Sequence, residues 1–84
     1  MLAEPDAREV HKKQGQYLAF IAAYTKVNGI APEEADMQRY FKVTPPSVHQ
    51  MVLGLERRGL ILRTPGRARS IKVLVPRDQL PQLE

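Results

Sequence analysis

The chain contains no cysteine. Disulfide bridges and thiolate zinc sites are therefore excluded, and a reducing compartment fits. Histidine is almost as scarce, with only His11 and His49, so no metal-ligand cluster can be assembled from the usual donors. Serine occurs only at Ser47 and Ser70, neither with a plausible base and orienting group, which argues against a nucleophilic triad. A glycine-rich phosphate loop is lacking as well. No apolar run approaches the roughly 18 residues that cross a membrane. The first fifteen residues hold acids and lysines where a secretory signal would need an apolar core. These absences lead to the expectation of a cytoplasmic protein that is not an enzyme, with no cofactor, no metal and no membrane partner.

What is present is one small globular chain of 84 residues, 43% hydrophobic and 26% charged, without an internal repeat or a linker. A domain of this size buries only about 60% of its unfolded surface, so its core has little to spare. The net charge of +4 is unevenly placed. Between positions 44 and 75 stand six basic residues (Arg57, Arg58, Arg63, Arg67, Arg69, Lys72) against one acid, Glu56. A local excess of this kind favours a polyanion partner, and a merely soluble basic surface is the alternative.

Hydrophobic spacing predicts the elements. From 7 to 28 the period is helical, with Val10, Tyr17, Leu18, Ile21 and Tyr24 on one face and Phe20, Ala23 and Val27 on a second stripe. Pro5 and Asp6 suit the start of this helix, although Gly15 inside it leaves open a start near Lys12. Asn28-Gly29 ends it, and Ile30-Ala31 could form a very short strand. Pro32 then opens a second helix at its first position, followed by the acids Glu33 and Glu34; Ala35, Met37, Tyr40 and Phe41 are available to the core. Residues 42–44 form a tight turn. Thr44 is an N-cap, Pro45 takes the first helical position, and a third helix runs to Arg58, with Gly59 as its stop. Residues 60–62 and 70–75 read as two strands joined by the turn at Thr64-Pro65-Gly66. The expected fold is mainly α with a small β-hairpin: a three-helix winged helix-turn-helix. It forms a single domain over 1–84, with a core of about 10–75 and terminal extensions at 1–6 and 76–84.

At 100° per residue, Val48, Met51, Val52 and Leu55 share the inner side of the third helix. The outer side centres on Pro46, Gln50, Leu53 and Arg57, flanked by Ser47 and Gly54, with His49 at an edge. The N-terminal half of a recognition helix is what reaches base edges in the major groove. Gln50 is the best candidate reader, because its amide both donates and accepts, as adenine N6 and N7 require. Thr44 and Ser47 can bond a base or a phosphate, and each also serves the helix cap. His49 could donate to a phosphate or to guanine. Arg57 and Arg58, at the far end, suit backbone oxygens. On the hairpin, Arg63, Arg67 and Arg69 cluster about a projecting tip that suits phosphates or a narrow minor groove, and Lys72 on the return strand adds a further phosphate contact. Leu53, apolar on the outer side, could touch a thymine methyl, pack under the wing or meet a partner subunit, and Gly54 weakens the helix but would permit close approach of a backbone.

The stretch 44–61, with Gly59-Leu60-Ile61 leading into a basic hairpin, resembles the winged helix-turn-helix of the LexA-type DNA-binding domain. The resemblance covers about 14–75. Gly29-Ile30-Ala31-Pro32 looks like the link before that family's second helix, Leu55-Glu56-Arg57-Arg58-Gly59 like the end of its recognition helix, and 66–71 like its wing. The start at Val43-Thr44-Pro45-Pro46-Ser47-Val48 is equally similar to MarR-type and iron-dependent winged-helix repressors; the metal ligands of the iron-dependent family are missing here. The resemblance implies DNA contacts at Thr44, Pro46, Ser47, His49 and Gln50, with the wing near Arg67 and Arg69. It does not extend to the serine-lysine self-cleavage domain of LexA-type repressors, so no protease activity is expected of these residues.

The leading expectation is sequence-specific binding of double-stranded DNA by a small transcriptional regulator, with helix 45–58 in the major groove and the wing, about 62–72, on the backbone or minor groove. Tight operator binding by so small a footprint would favour a homodimer on a two-fold site. The alternative is a protein-interaction module that keeps the fold and uses Leu53, Phe20 or the Leu80/Leu83 tail. The arginine wing separates the two, since an interaction module has no need of that charge.

Overall fold

A computed structural model of the chain describes residues 7–84. The expectations for 1–6 and for the side chain of Val10 lie outside the described residues. The elements run α1 (Ala7–Asn28), α2 (Glu34–Phe41), α3 (Pro45–Arg57), β1 (Ile61–Leu62) and β2 (Lys72–Val73), followed by a 3-10 turn at Arg77–Gln79. The two strands pair antiparallel, Ile61 opposite Val73 and Leu62 opposite Lys72. This is the three-helix winged helix-turn-helix that the periodicity predicts.

The core forms where three amphipathic faces meet. Tyr17, Leu18, Phe20 and Ile21 of α1 pack with Met37 of α2, with Val48, Val52 and Leu55 of α3, and with Ile61 of β1. The five aromatic side chains join one cluster across α1 and α2. Tyr17 stacks on Phe41 with centroids 4.1 Å apart, and Phe20 lies between Tyr24, Tyr40 and Phe41. Burial in this cluster pushes the Tyr17 phenol above its usual range.

Several local expectations are corrected. Val27 is 82% exposed. At about 1.5 Å per residue α1 is much longer than the helices packed on it, and its last turn overhangs them. Ala35 lies on the solvent side of α2. The first residue of α2 is not Pro32. Glu33 is the N-cap, its N–H donating to Asp36 Oδ2 at 2.8 Å, and Pro32 is buried just ahead of it. Ile30-Ala31 forms no strand, and the Ala31 carbonyl accepts from Arg69 instead. α1 continues through Gly15 rather than starting near Lys12.

The entry to and exit from α3 follow the sequence signals. Thr44 is the N-cap, its Oγ1 accepting from the Ser47 N–H, and Pro45 follows as the first helical residue. At the far end Leu60 N–H bonds Leu55 O, and Gly59 N–H bonds Glu56 O. With Gly59 at φ 73°, this is a Schellman closure, which a residue without Cβ adopts at little cost. That closure turns the chain directly into β1.

The segment 76–84 is docked on α1. Gln16 Nε2 donates to Gln82 O at 2.9 Å, Glu84 N–H donates to Gln16 Oε1 at 2.8 Å, and the Tyr40 hydroxyl donates to Glu84 O at 2.7 Å. Leu80 and Leu83 pack partly against the core. A Cβ on Gly15 would stand 3.0 Å from Pro81 Cγ, so this mid-helix glycine marks a close approach of the tail.

Candidate nucleic-acid interface

The first two turns of α3 stand clear of the rest of the molecule. Thr44, Pro46, Ser47, His49 and Gln50 are exposed, while Val48 and Val52, one helical repeat away, have no accessible surface. The two hydroxyls at the helix start are partners: Thr44 Oγ1 and Ser47 Oγ lie 2.9 Å apart. The Gln50 side chain makes no hydrogen bond among the described residues, so both ends of its amide remain available. His49 is tethered, with Nδ1 at 3.2 and 3.3 Å from the two carboxylate oxygens of Glu34. Leu53 is half-buried. Gly54 is not a point of close approach, because a Cβ there would meet nothing nearer than Arg57 Nη2 and Gln14 Nε2 at 4.0 Å.

The wing is closed by its own small polar residues. The Arg67 N–H bonds Thr64 O at 3.1 Å across Pro65-Gly66, with Gly66 at φ 77°, the pattern of a type II turn. Ser70 Oγ accepts from the Thr64 N–H at 2.9 Å and donates to Thr64 O at 3.1 Å. Arg67 is thereby left exposed at the tip, and Lys72 is exposed on β2.

The six cations that look alike in the sequence separate into two groups. Arg57, Arg67 and Lys72 are exposed and make no ion pair among the described residues. The other three are engaged within the molecule. Arg63 Nε lies 3.2 Å from Glu56 Oε1, with only 20% of its side chain exposed. Arg58 donates to the Gln14 side chain and to His11 Nδ1, which draws it toward α1. Arg69 is the most elaborately held. Its guanidinium donates to Ala31 O at 3.1 Å and to the Tyr24 hydroxyl at 3.4 Å, and it faces Glu33 at 3.7 Å and Asp36 at 3.6 Å. The Tyr24 hydrogen bond first, and then the two carboxylates, raise its already high pKa further. Arg69 thus ties the base of the wing to the α1–α2 corner.

Sequence reading missed the acids that do this holding. Glu33, Glu34 and Asp36 carry a visible signal as acids in the first turn of α2, but one that explains only the helix dipole. The Glu56–Arg63 pair carries no local signal, since its members lie seven residues apart across a helix stop. The surfaces proposed for a protein-interaction module are largely occupied from within. Phe20 is buried in the aromatic cluster, and Leu80 and Leu83 are docked on α1. Among the described residues no group of three or more His, Asp or Glu is placed to hold a metal ion, and no helix is long and apolar enough to cross a membrane.

Comparison with known proteins agrees with this geometry. Residues 7–70 match the family model described as the LexA DNA binding domain. The chain is 39% identical over 67 residues to the LexA repressor of Thermosipho africanus (strain TCF52B), covering 80% of this chain and 34% of that protein. It is 34% identical over 73 residues to the LexA repressor of Thermosipho melanesiensis, covering 87% of this chain and 37% of that protein. To the LexA repressor of Novosphingobium aromaticivorans it is 38% identical over 64 residues, or 75% of this chain and 27% of that protein. The chain therefore spans about a third of the length of these relatives or less.

Proposed function

The chain belongs to the LexA DNA-binding domain family, and from that premise we propose that it acts as the sequence-specific, double-stranded-DNA-binding domain of a cytoplasmic transcriptional repressor. α3 enters the major groove by its N-terminal half, and the wing lies on the adjoining backbone. The observation that carries this reading is the capped, uncovered start of α3, where Thr44, Pro46, Ser47, His49 and Gln50 are exposed beside an exposed Arg67.

Work is divided among the residues. Gln50 reads a base through its free amide, with adenine as the matching edge. Ser47, Thr44 and His49 bond phosphate or base acceptors, and Pro46 packs against the groove. Arg57, Arg67 and Lys72 supply the phosphate grip. Arg58, Arg63 and Arg69 act chiefly as internal ties that set the angle between α3 and the wing. The domain, 1–84, is a binding module rather than an enzyme, and it occupies a two-fold operator as a homodimer.

Selection of binding sites from random duplexes tests the reading, with a single enriched motif expected in two half-sites. Gln50→Ala should relax preference at one position by about 1–3 kcal/mol, the worth of a bidentate amide–base contact. Absence of duplex binding even at low salt would overturn the proposal.

A further inference from the structure

The contact between α2 and α3 at Glu34 and His49 bears on how the recognition helix addresses DNA. His49 Nδ1 lies 3.2 Å from Glu34 Oε2 and 3.3 Å from Oε1, and about half of the histidine side chain is exposed. A carboxylate only accepts, so the proton of a neutral His49 must sit on Nδ1. The outer nitrogen, Nε2, is then an acceptor when the ring is neutral and a donor only when it is cationic. Phosphate oxygens, and guanine O6 and N7, are acceptors. A ring that keeps its bond to Glu34 can therefore serve them only as imidazolium.

We propose that Glu34 is a positioning residue that fixes the tautomer of His49, so that seating α3 on DNA takes up one proton at this histidine. The inference rests on the DNA-binding reading above. Neutral His49 would offer Nε2 to a donor, such as adenine N6 or cytosine N4, so one residue presents opposite hydrogen-bonding faces in its two protonation states. The surrounding charges are few and mostly engaged. On α2, Glu33 and Asp36 face Arg69. Toward the wing, Arg63 and Arg67 line the same cleft as Glu34, and Arg63 is held by Glu56 of α3. The carboxylate of Glu34 is thus the anion in contact with the ring, and bound phosphate would be a second, stabilising the cation further. Acceptors on DNA bond only the protonated ring, so the added affinity is present at low pH and is lost as pH rises.

The other histidine is an internal control. Arg58 Nη1 donates to His11 Nδ1 at 3.3 Å, so neutral His11 must carry its proton on Nε2, the opposite tautomer.

The test has two arms on the whole chain. Long-range proton–nitrogen NMR of the free protein should find neutral His49 protonated on Nδ1 and neutral His11 on Nε2, with Glu34→Ala moving His49 toward the Nε2 form. Duplex binding at fixed salt, between about pH 5.5 and 8.5 across the ordinary histidine range, should weaken by up to about tenfold per pH unit, as one linked proton requires. His49→Gln should abolish that dependence and His11→Gln should preserve it. An Nε2 tautomer at His49, pH-independent binding, or a pH dependence that survives in His49→Gln would each overturn the proposal. A chain that binds no duplex at any of these pH values would overturn the DNA-binding reading as well.

Discussion

The salt dependence of DNA binding should report how many of the six cations around α3 and the wing touch phosphate. Each neutralised phosphate contributes about −0.9 to the slope of log K against log salt on duplex DNA. If Arg57, Arg58, Arg63, Arg67, Arg69 and Lys72 all did so, their share of the slope would be about −5.4, and raising salt from about 50 to 200 mM would cost roughly 2,000-fold in affinity. In the structure only Arg57, Arg67 and Lys72 are exposed with neither an ion pair nor a side-chain hydrogen bond among the described residues, since Arg58, though exposed, bonds Gln14 and His11. Their share is about −2.7, a loss of roughly 40-fold over the same interval. Fluorescence anisotropy on a labelled duplex, with each cation changed to alanine in turn, separates the cases. Arg67→Ala should flatten the slope by about 0.9. Arg69→Ala and Arg63→Ala should leave the slope nearly unchanged and instead lower the melting temperature, because they remove ties to Glu33, Asp36 and Glu56. A full unit of slope lost in Arg69→Ala, with melting unchanged, would refute the division between grip and internal tie.

Three stability predictions test the frame that carries the site. Gly54→Ala should stabilise by about 0.5–1 kcal/mol in urea denaturation, because the helix gains propensity and the new methyl meets only atoms at 4.0 Å. Leu55→Ala, at a position with no accessible surface, should cost about 2–5 kcal/mol, a large share of the roughly 4–13 kcal/mol expected for a domain this small. Thr44→Asp should preserve the cap and leave melting unchanged or higher, yet weaken duplex binding by setting an anion where phosphate must come. Equal losses of stability and binding in that variant would show that Thr44 is only a cap.

Much of the fold was legible because its signals are local. The Thr44-Pro45 start and the Gly59 stop delimit α3, and its 3.6-residue period assigns Val48, Val52 and Leu55 to the core, where the structure buries them. The hairpin turn was legible from Pro65-Gly66, since proline presets one central dihedral and glycine permits the other. Pro32 misled because proline favours the first helical position in isolation. The Asp36 carboxylate, bonding the Glu33 N–H, moves the cap one residue on. Gly15 could not be understood from its own neighbourhood, because the atom that crowds it belongs to Pro81, far along the chain.

The sequence by itself determined the helix order, the inner face of α3, the exposed turn that begins it and the excess of positive charge from 44 to 75. Each follows from dihedral preference, hydrophobic period or composition, which act over a few residues. Only the tertiary structure decided which of those charges face outward. Arg67 and Arg69 stand two residues apart with the same side chain. The type II turn leaves the first at the tip, whereas the second reaches Ala31, Glu33 and Asp36. Coulomb and hydrogen-bond partners are chosen by distance in space, and that distance is set when α2 and the wing close on one another.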